Sequence, residues 1–247
     1  MFDHVALGAS DLEASVACYS TLLPTLGHEP PARNSMGAEA DDFCLSPAGA
    51  DRPVTRGLHV GFAAPTREAV DAFHRAGLEA GYADDGAPGA RPEYAPDYYG
   101  AFLRDPDGNS AEAVHLDGLR EDGTIDHLWI RVADHDASVA FYVTVGQHAG
   151  FTGAAVVPGQ RTIFRPDGPG RGSFSIVQAD GPVTEPVHLA FPAPAERVRA
   201  FHAAAIAAGH RDNGGPGERA VYHPGYYGAF VLDPDGHNVE LVDHRRD

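Results

Sequence analysis

Six residues carry side chains suited to binding divalent metals and recur in matching surroundings: His4, His59 and Glu112, then His127, His188 and Glu240. Two neutral imidazoles and one carboxylate, with coordination positions left open, form the ligand set of non-haem Fe(II) sites and also suit Mn, Zn, Co and Ni. Each histidine sits in a run that alternates like a strand. In Leu58–Ala63 the residues Leu58, Val60 and Phe62 share one face, and His59, Gly61 and Ala63 share the other. An imidazole flanked by the smallest residues leaves space for something to bind. His188 beside Ala190 repeats this arrangement, and His4 has Ala6 as its same-face neighbour. His127 has the bulkier Trp129.

The glutamates come from a hairpin. Asp105-Pro106-Asp107-Gly108 and Asp233-Pro234-Asp235-Gly236 suit a type I turn with glycine in the left-handed position. Pairing Asp105 with Asn109 sets Arg104 against Ser110, Leu103 against Ala111 and Phe102 against Glu112. Glu112, Phe102, Gly100 and Tyr98 then share a face, as do Glu240, Phe230, Gly228 and Tyr226. A carboxylate in the middle of a closing strand is costly to bury without a partner, and a metal ion would be one. Tyr98 and Tyr226 are the first candidates for acid/base work on that face. His223, in the loop leading to the second such strand, is a third, and its counterpart is Ala95.

The elements that position these residues occur twice. Tyr-Tyr-Gly-Ala-Phe stands at 98–102 and at 226–230, Leu58–Phe62 returns as Val187–Phe191, and Phe2-Asp3-His4-Val5 returns as Ile125-Asp126-His127-Leu128. The period of about 120 residues is that of a domain, far longer than a solenoid repeat. The expected domains are 1–119 and 124–247, with the boundary in the charged, glycine-containing stretch 117–123. Each copy divides again into two units of strand, helix and several strands. Ser10 with Glu13 reads as a capping box, and Leu12, Val16, Tyr19 and Leu23 form one apolar face. Pro65-Thr66 opens a helix that directs Val70, Phe73 and Ala80 inward and ends at Gly81; Val198, Phe201, Ala205 and Gly209 repeat it. The expectation is an α+β chain of four β-α-β-β-β units. Gly-rich 86–89 and 214–217 read as turns over a pocket.

Composition removes several functions. All 18 basic residues are arginine, so lysine-based Schiff-base chemistry is excluded. Against 35 acidic residues they leave a net charge of −17, unsuited to neutralising nucleic-acid phosphates. No apolar run is long enough to span a membrane, and the opening residues lack the pattern of a signal peptide. Cys18 and Cys44 do not suggest a disulfide framework. The expected setting is the cytoplasm, as a monomer or homodimer with a small-molecule substrate.

These motifs resemble the vicinal oxygen chelate superfamily, which includes glyoxalase I, extradiol dioxygenases, fosfomycin-resistance enzymes and bleomycin-binding proteins. The opening strand with His4 or His127, the mid-copy His59 or His188, the helix after it, and the Asp-Pro-Asp-Gly hairpin before Glu112 or Glu240 carry the resemblance once per copy. It implies tandem domains, each of two βαβββ modules forming a half-open barrel, and one or two divalent ions per chain (Fe, Mn, Zn, Ni or Co). A substrate with two neighbouring oxygens would chelate the ion, and a lyase, isomerase or dioxygenase reaction would follow. A site forms either within one copy or, by exchange of modules, from His4 with His188 and Glu240. Two features depart from relatives. Cys44 and Ser175 stand nearest to the fourth ligand of glyoxalase I, a glutamate. Phe102 and Phe230 stand where extradiol enzymes place a tyrosine. The alternative is a metal-free antibiotic-binding protein of the bleomycin-resistance type, for which net negative charge would suit a cationic ligand.

Overall fold

The computed structural model describes residues 1–50, 52–117, 123–168 and 172–244. The expected boundary at 117–123 falls mostly on 118–122, outside the described residues. Four βαβββ units follow one another. The first is β1 (His4–Ala9), α1 (Leu12–Leu22), β2 (Ala32–Asn34), β3 (Gly37–Ala40) and β4 (Phe43–Pro47). The second is β5 (His59–Ala63), α2 (Arg67–Glu79), β6 (Ala83–Ala90), β7 (Tyr99–Arg104) and β8 (Ser110–His115). The third is β9 (Ile125–Val132), α3 (His135–Ala149), β10 (Phe151–Val157), β11 (Arg161–Pro166) and β12 (Ser173–Gln178). The fourth is β13 (His188–Pro192), α4 (Ala195–Ala207), β14 (Arg211–Glu218), β15 (Tyr227–Leu232) and β16 (Asn238–Asp243). Among the described residues no helix is long and apolar enough to cross a membrane.

The strands form two eight-stranded open sheets, and neither belongs to one copy. One runs β14-β15-β16-β13-β1-β4-β3-β2, joining the first unit to the fourth. The other runs β10-β11-β12-β9-β5-β8-β7-β6, joining the second to the third. The joints are antiparallel: β1 pairs with β13, setting His4 opposite Ala190 and Ala6 opposite His188, and β5 pairs with β9, setting Gly61 opposite His127. Side-chain packing divides the chain differently. In the first copy Tyr19, Phe43 and Phe62 pack ring against ring between the two sheets, and in the second Tyr142, Phe174 and Phe191 do so. These ring clusters lie in different copies, joined where Phe2 of the first packs on Phe174 and Phe191 of the second, while the backbone ladders run across the copies.

Local details depart from expectation at three places. The cap of α1 is Asp11, whose carboxylate accepts from Ala14 N at 3.0 Å; Ser10 is held instead by Asp107 of the hairpin turn. Asp134 caps α3 in the same way. Ala80 caps α2 at the surface, and Gly77, one turn earlier, faces the core where a Cβ would meet Leu103. The Gly-rich stretches are not free turns but belong to the bulged edge strands β6 and β14, in which Gly86 and Gly214 take φ of +154° and +146° beside the rings of Phe102 and Phe230. Side chains in that conformation are strained, so glycine marks each bulge.

Candidate metal centres

The register of each sheet assembles three ligand-type side chains on one face. Ala190 lies between His4 on β1 and Glu240 on β16, and His188 stands two residues back along β13. Gly61 lies between His127 on β9 and Glu112 on β8, with His59 two residues back on β5. The donor atoms of His4, His188 and Glu240 lie within 4.8 Å of one another, and so do those of His59, His127 and Glu112. All six residues singled out in the sequence are thus brought together, in the exchanged grouping rather than within copies. The hairpin register expected from the turns is observed, with Phe102 opposite Glu112 and Phe230 opposite Glu240.

The donor spacing fits an ion. Nε2 of His59 is 2.9 Å from Glu112 Oε2 and 3.2 Å from His127 Nε2, and His127 Nε2 is 3.1 Å from the same oxygen. Donors about 2.1 Å from a common ion and at right angles to it lie about 3 Å apart. In the other group His4 Nε2 and His188 Nε2 are 3.1 Å apart, and His188 Nε2 is 3.1 Å from Glu240 Oε2. The neighbours of these side chains aim them inward. His4 Nδ1–H donates to Asp3 Oδ1 at 2.8 Å and His127 Nδ1–H to Asp126 Oδ2 at 3.0 Å, which turns each Nε2 to the centre. The side-chain amide of Asn238 lies 2.6 Å from His188 Nδ1. A Cβ at Gly100 or Gly228 would come within 2.6 or 2.4 Å of a glutamate oxygen, so these glycines keep space for the carboxylates.

The two centres differ electrostatically, and alanine stands in one where the other has glycine. With Gly61 beside it, His127 reaches Glu112 at 3.1 Å; with Ala190 in the equivalent place, His4 stops 3.9 Å from Glu240. Burial works to raise the Glu112 carboxyl, but hydrogen bonds and charge from His127 and His59 overcome it and hold it down at about 2. Burial likewise opposes a charge on His127, and bonds from Asp126 and Glu112 overcome it, raising it to about 10. Burial dominates at Glu240 and pushes it up to about 7, against the pull of His4. Burial also lowers His59 and His188 to about 4 each.

They also differ in access. Trp129 packs on His59 with ring centroids 4.5 Å apart, and Arg131 and Arg161 lie over its indole. The His59 side chain is 4% exposed against 18% for His188, while Glu112 and Glu240 are equally buried. In the other centre Ala6 and Gly8 occupy the positions of Trp129 and Arg131, and the space opens into a cavity of about 1220 Å³ with His4, His188 and Glu240 on its wall. Cys44, paired with Ala6, also lines that cavity, but it lies outside the ligand-type group. Burial raises its thiol to about 12.

Tyr98 and Tyr226 donate to Glu112 Oε1 and Glu240 Oε1 at 2.6 and 2.7 Å. Burial and the adjacent carboxylate hold both phenols far above their ordinary value. This geometry supports orientation of the carboxylates rather than acid/base exchange. His223 lines the open cavity and meets His244, a residue that no periodicity in the sequence singled out.

The family model described as Glyoxalase/Bleomycin resistance protein/Dioxygenase superfamily matches residues 1–113 and again 124–241. This chain belongs to that superfamily. The resemblance read from its repeated motifs is met across both copies. Among solved structures, glyoxalase I from Zea mays is similar over 98% of this chain and 92% of its own, at 19% identity and a TM-score of 0.63, a likeness of fold. A glyoxalase/bleomycin resistance protein from Albidiferax ferrireducens T118 is 38% identical over 47% of this chain and 99% of its own, with a TM-score of 0.44. A comparison with curated proteins gave no match.

Proposed function

We propose that this superfamily member is a divalent-metal-dependent enzyme acting on a small oxygenated substrate at the His4, His188 and Glu240 centre. The convergence of these three side chains on the wall of an open cavity carries the reading. A divalent ion held there would supply Lewis acidity toward two adjacent oxygens of the substrate, or an oxygen-activating centre. The chain's own part is positional. Asp3 and Asn238 set the imidazoles, Tyr226 fixes the carboxylate, and Ala6 and Gly8 leave the floor open. The His59, His127 and Glu112 centre has a closed form, with Trp129 over it, and is proposed as a structural ion site. A metal-free antibiotic binder would gain nothing from two buried glutamates each facing two imidazoles.

The test is metal content of protein purified without chelator, in wild type and in His188→Ala and His59→Ala. Two ions in the wild type and one in each variant are expected. Turnover assays on a thiol-adduct of a 2-oxoaldehyde and on catechols with dioxygen follow, and His188→Ala is expected to lose whichever activity is found. Unchanged metal content in both variants rejects the assignment.

A further inference from the structure

His223, in the loop before β15, and His244, directly after β16, form a pair on the cavity wall. Their rings are nearly coplanar, 13° apart, and His223 Nε2 lies 2.8 Å from His244 Nδ1. The outer atoms are also bonded. His223 Nδ1 is 2.7 Å from the Pro224 carbonyl oxygen, and His244 Nε2 is 2.8 Å from Asp3 Oδ2. Asp3 Oδ1 in turn takes the Nδ1–H of His4.

The contacts form one continuous hydrogen-bonded chain, from the Pro224 carbonyl through His223 and His244 to Asp3 and His4, so the pair holds Asp3 by the oxygen that His4 leaves free. Tyr226 packs edge-on against both rings and donates to Glu240, so the pair is braced toward two of the three ligand-type residues.

We propose that His223 and His244 are a hydrogen-bonded pair that holds the carboxylate of Asp3 in place and so fixes the ligand face of His4. They act as positioning residues, and in the open centre alone. Ala95 and Leu116 stand at the corresponding positions of the first copy, so among the described residues no such pair stands behind Asp126, the partner of His127. The inference rests on the reading of His4 as a metal ligand.

The experiment uses the full chain, stripped of metal and titrated with cobalt(II), in wild type, His244→Gln and His223→Gln. Trp129 is the only tryptophan and its ring touches His59, so quenching of its fluorescence reports the closed centre while equilibrium dialysis reports total binding. Either variant is expected to weaken binding at the open centre by about ten- to a hundred-fold, with Trp129 quenching unchanged. Histidine-selective nitrogen NMR of the metal-free protein is expected to show His4 as the Nδ1–H tautomer in the wild type and as a mixture of tautomers in both variants. An unchanged His4 tautomer in both variants, or unaltered cobalt binding in both, would overturn the proposal. A wild type that binds no cobalt at either centre would defeat the metal reading itself, and the NMR result alone would then decide on the histidine pair.

Discussion

Nε2 of His4 lies 3.1 Å from Nε2 of His188, although 184 positions separate them along the chain. The cause is the β1–β13 ladder, which sets His4 and His188 diagonally across one antiparallel pair and leaves His59 in the other sheet. Diagonal neighbours are within reach of long and aromatic side chains.

Ligand substitutions should therefore group by sheet rather than by copy. His4→Ala, His188→Ala and Glu240→Gln are expected to remove the same ion, and His59→Ala, His127→Ala and Glu112→Gln the other. The double variant His4→Ala/His188→Ala should lose no more metal than either single change, whereas His4→Ala/His59→Ala should lose both ions. Elemental analysis of the purified variants checks this.

Gly61→Ala tests the account of why the centres differ. A Cβ there would stand 2.2 Å from the His127 ring, so the ring must move away from Glu112, as His4 stands away from Glu240 behind Ala190. Cobalt(II) affinity read by Trp129 quenching should fall about ten-fold or more, with no ligand substituted. Quenching identical to wild type would show that the ring finds another path.

The pH response of the metal-free chain follows from the shifts. Glu112, held down at about 2, adds stability that is present above its ordinary 4.5 and is lost as pH falls through about 2. His127, held up at about 10, adds stability that is present below its ordinary 6.5 and is lost as pH rises through about 10. Glu240 has the opposite effect for a carboxylate. Held up at about 7, it costs stability as pH climbs from 4.5 through about 7. A cation that binds Glu240 must displace its proton, so affinity at the open centre should rise with pH up to about 7. Calorimetry of His59→Ala in two buffers of different ionisation enthalpy should detect proton release on binding that shrinks above that pH.

Tyr226→Phe removes the donor to Glu240 and keeps the ring against His223 and His244. A hydrogen bond to a charged buried group contributes about 2 kcal/mol, so urea unfolding of the loaded protein should show a loss of that order. If the tyrosine only orients the carboxylate, a turnover assay should keep the shape of its pH profile. A lost basic limb would instead restore the tyrosine as an acid/base residue.

Much of each centre was legible because short-range rules fix it. The Asp105–Gly108 turn determines the hairpin register, and that register places Tyr98, Gly100 and Phe102 around Glu112. Alternation likewise placed His59 and His188 opposite the core face of their strands. The choice between exchanged and within-copy grouping was not legible. β1, β5, β9 and β13 carry the same alternation, so nothing local tells β1 to pair with β13 rather than β5. His244 was missed because it follows the last strand and has meaning only through His223 and Asp3. The glycines of β6 and β14 read as turns in sequence because a bulged edge strand and a loop draw on the same residue types.

The crossing of backbone ladders between copies has a consequence for shortened proteins. A polypeptide ending after the first copy would leave the edges of β1 and β5 bare. Two such molecules could heal each other by docking β1 of one on β5 of the other. His4 would then face His59 and Glu112 of its twin, so the grouping that the long chain forgoes would arise between separate molecules.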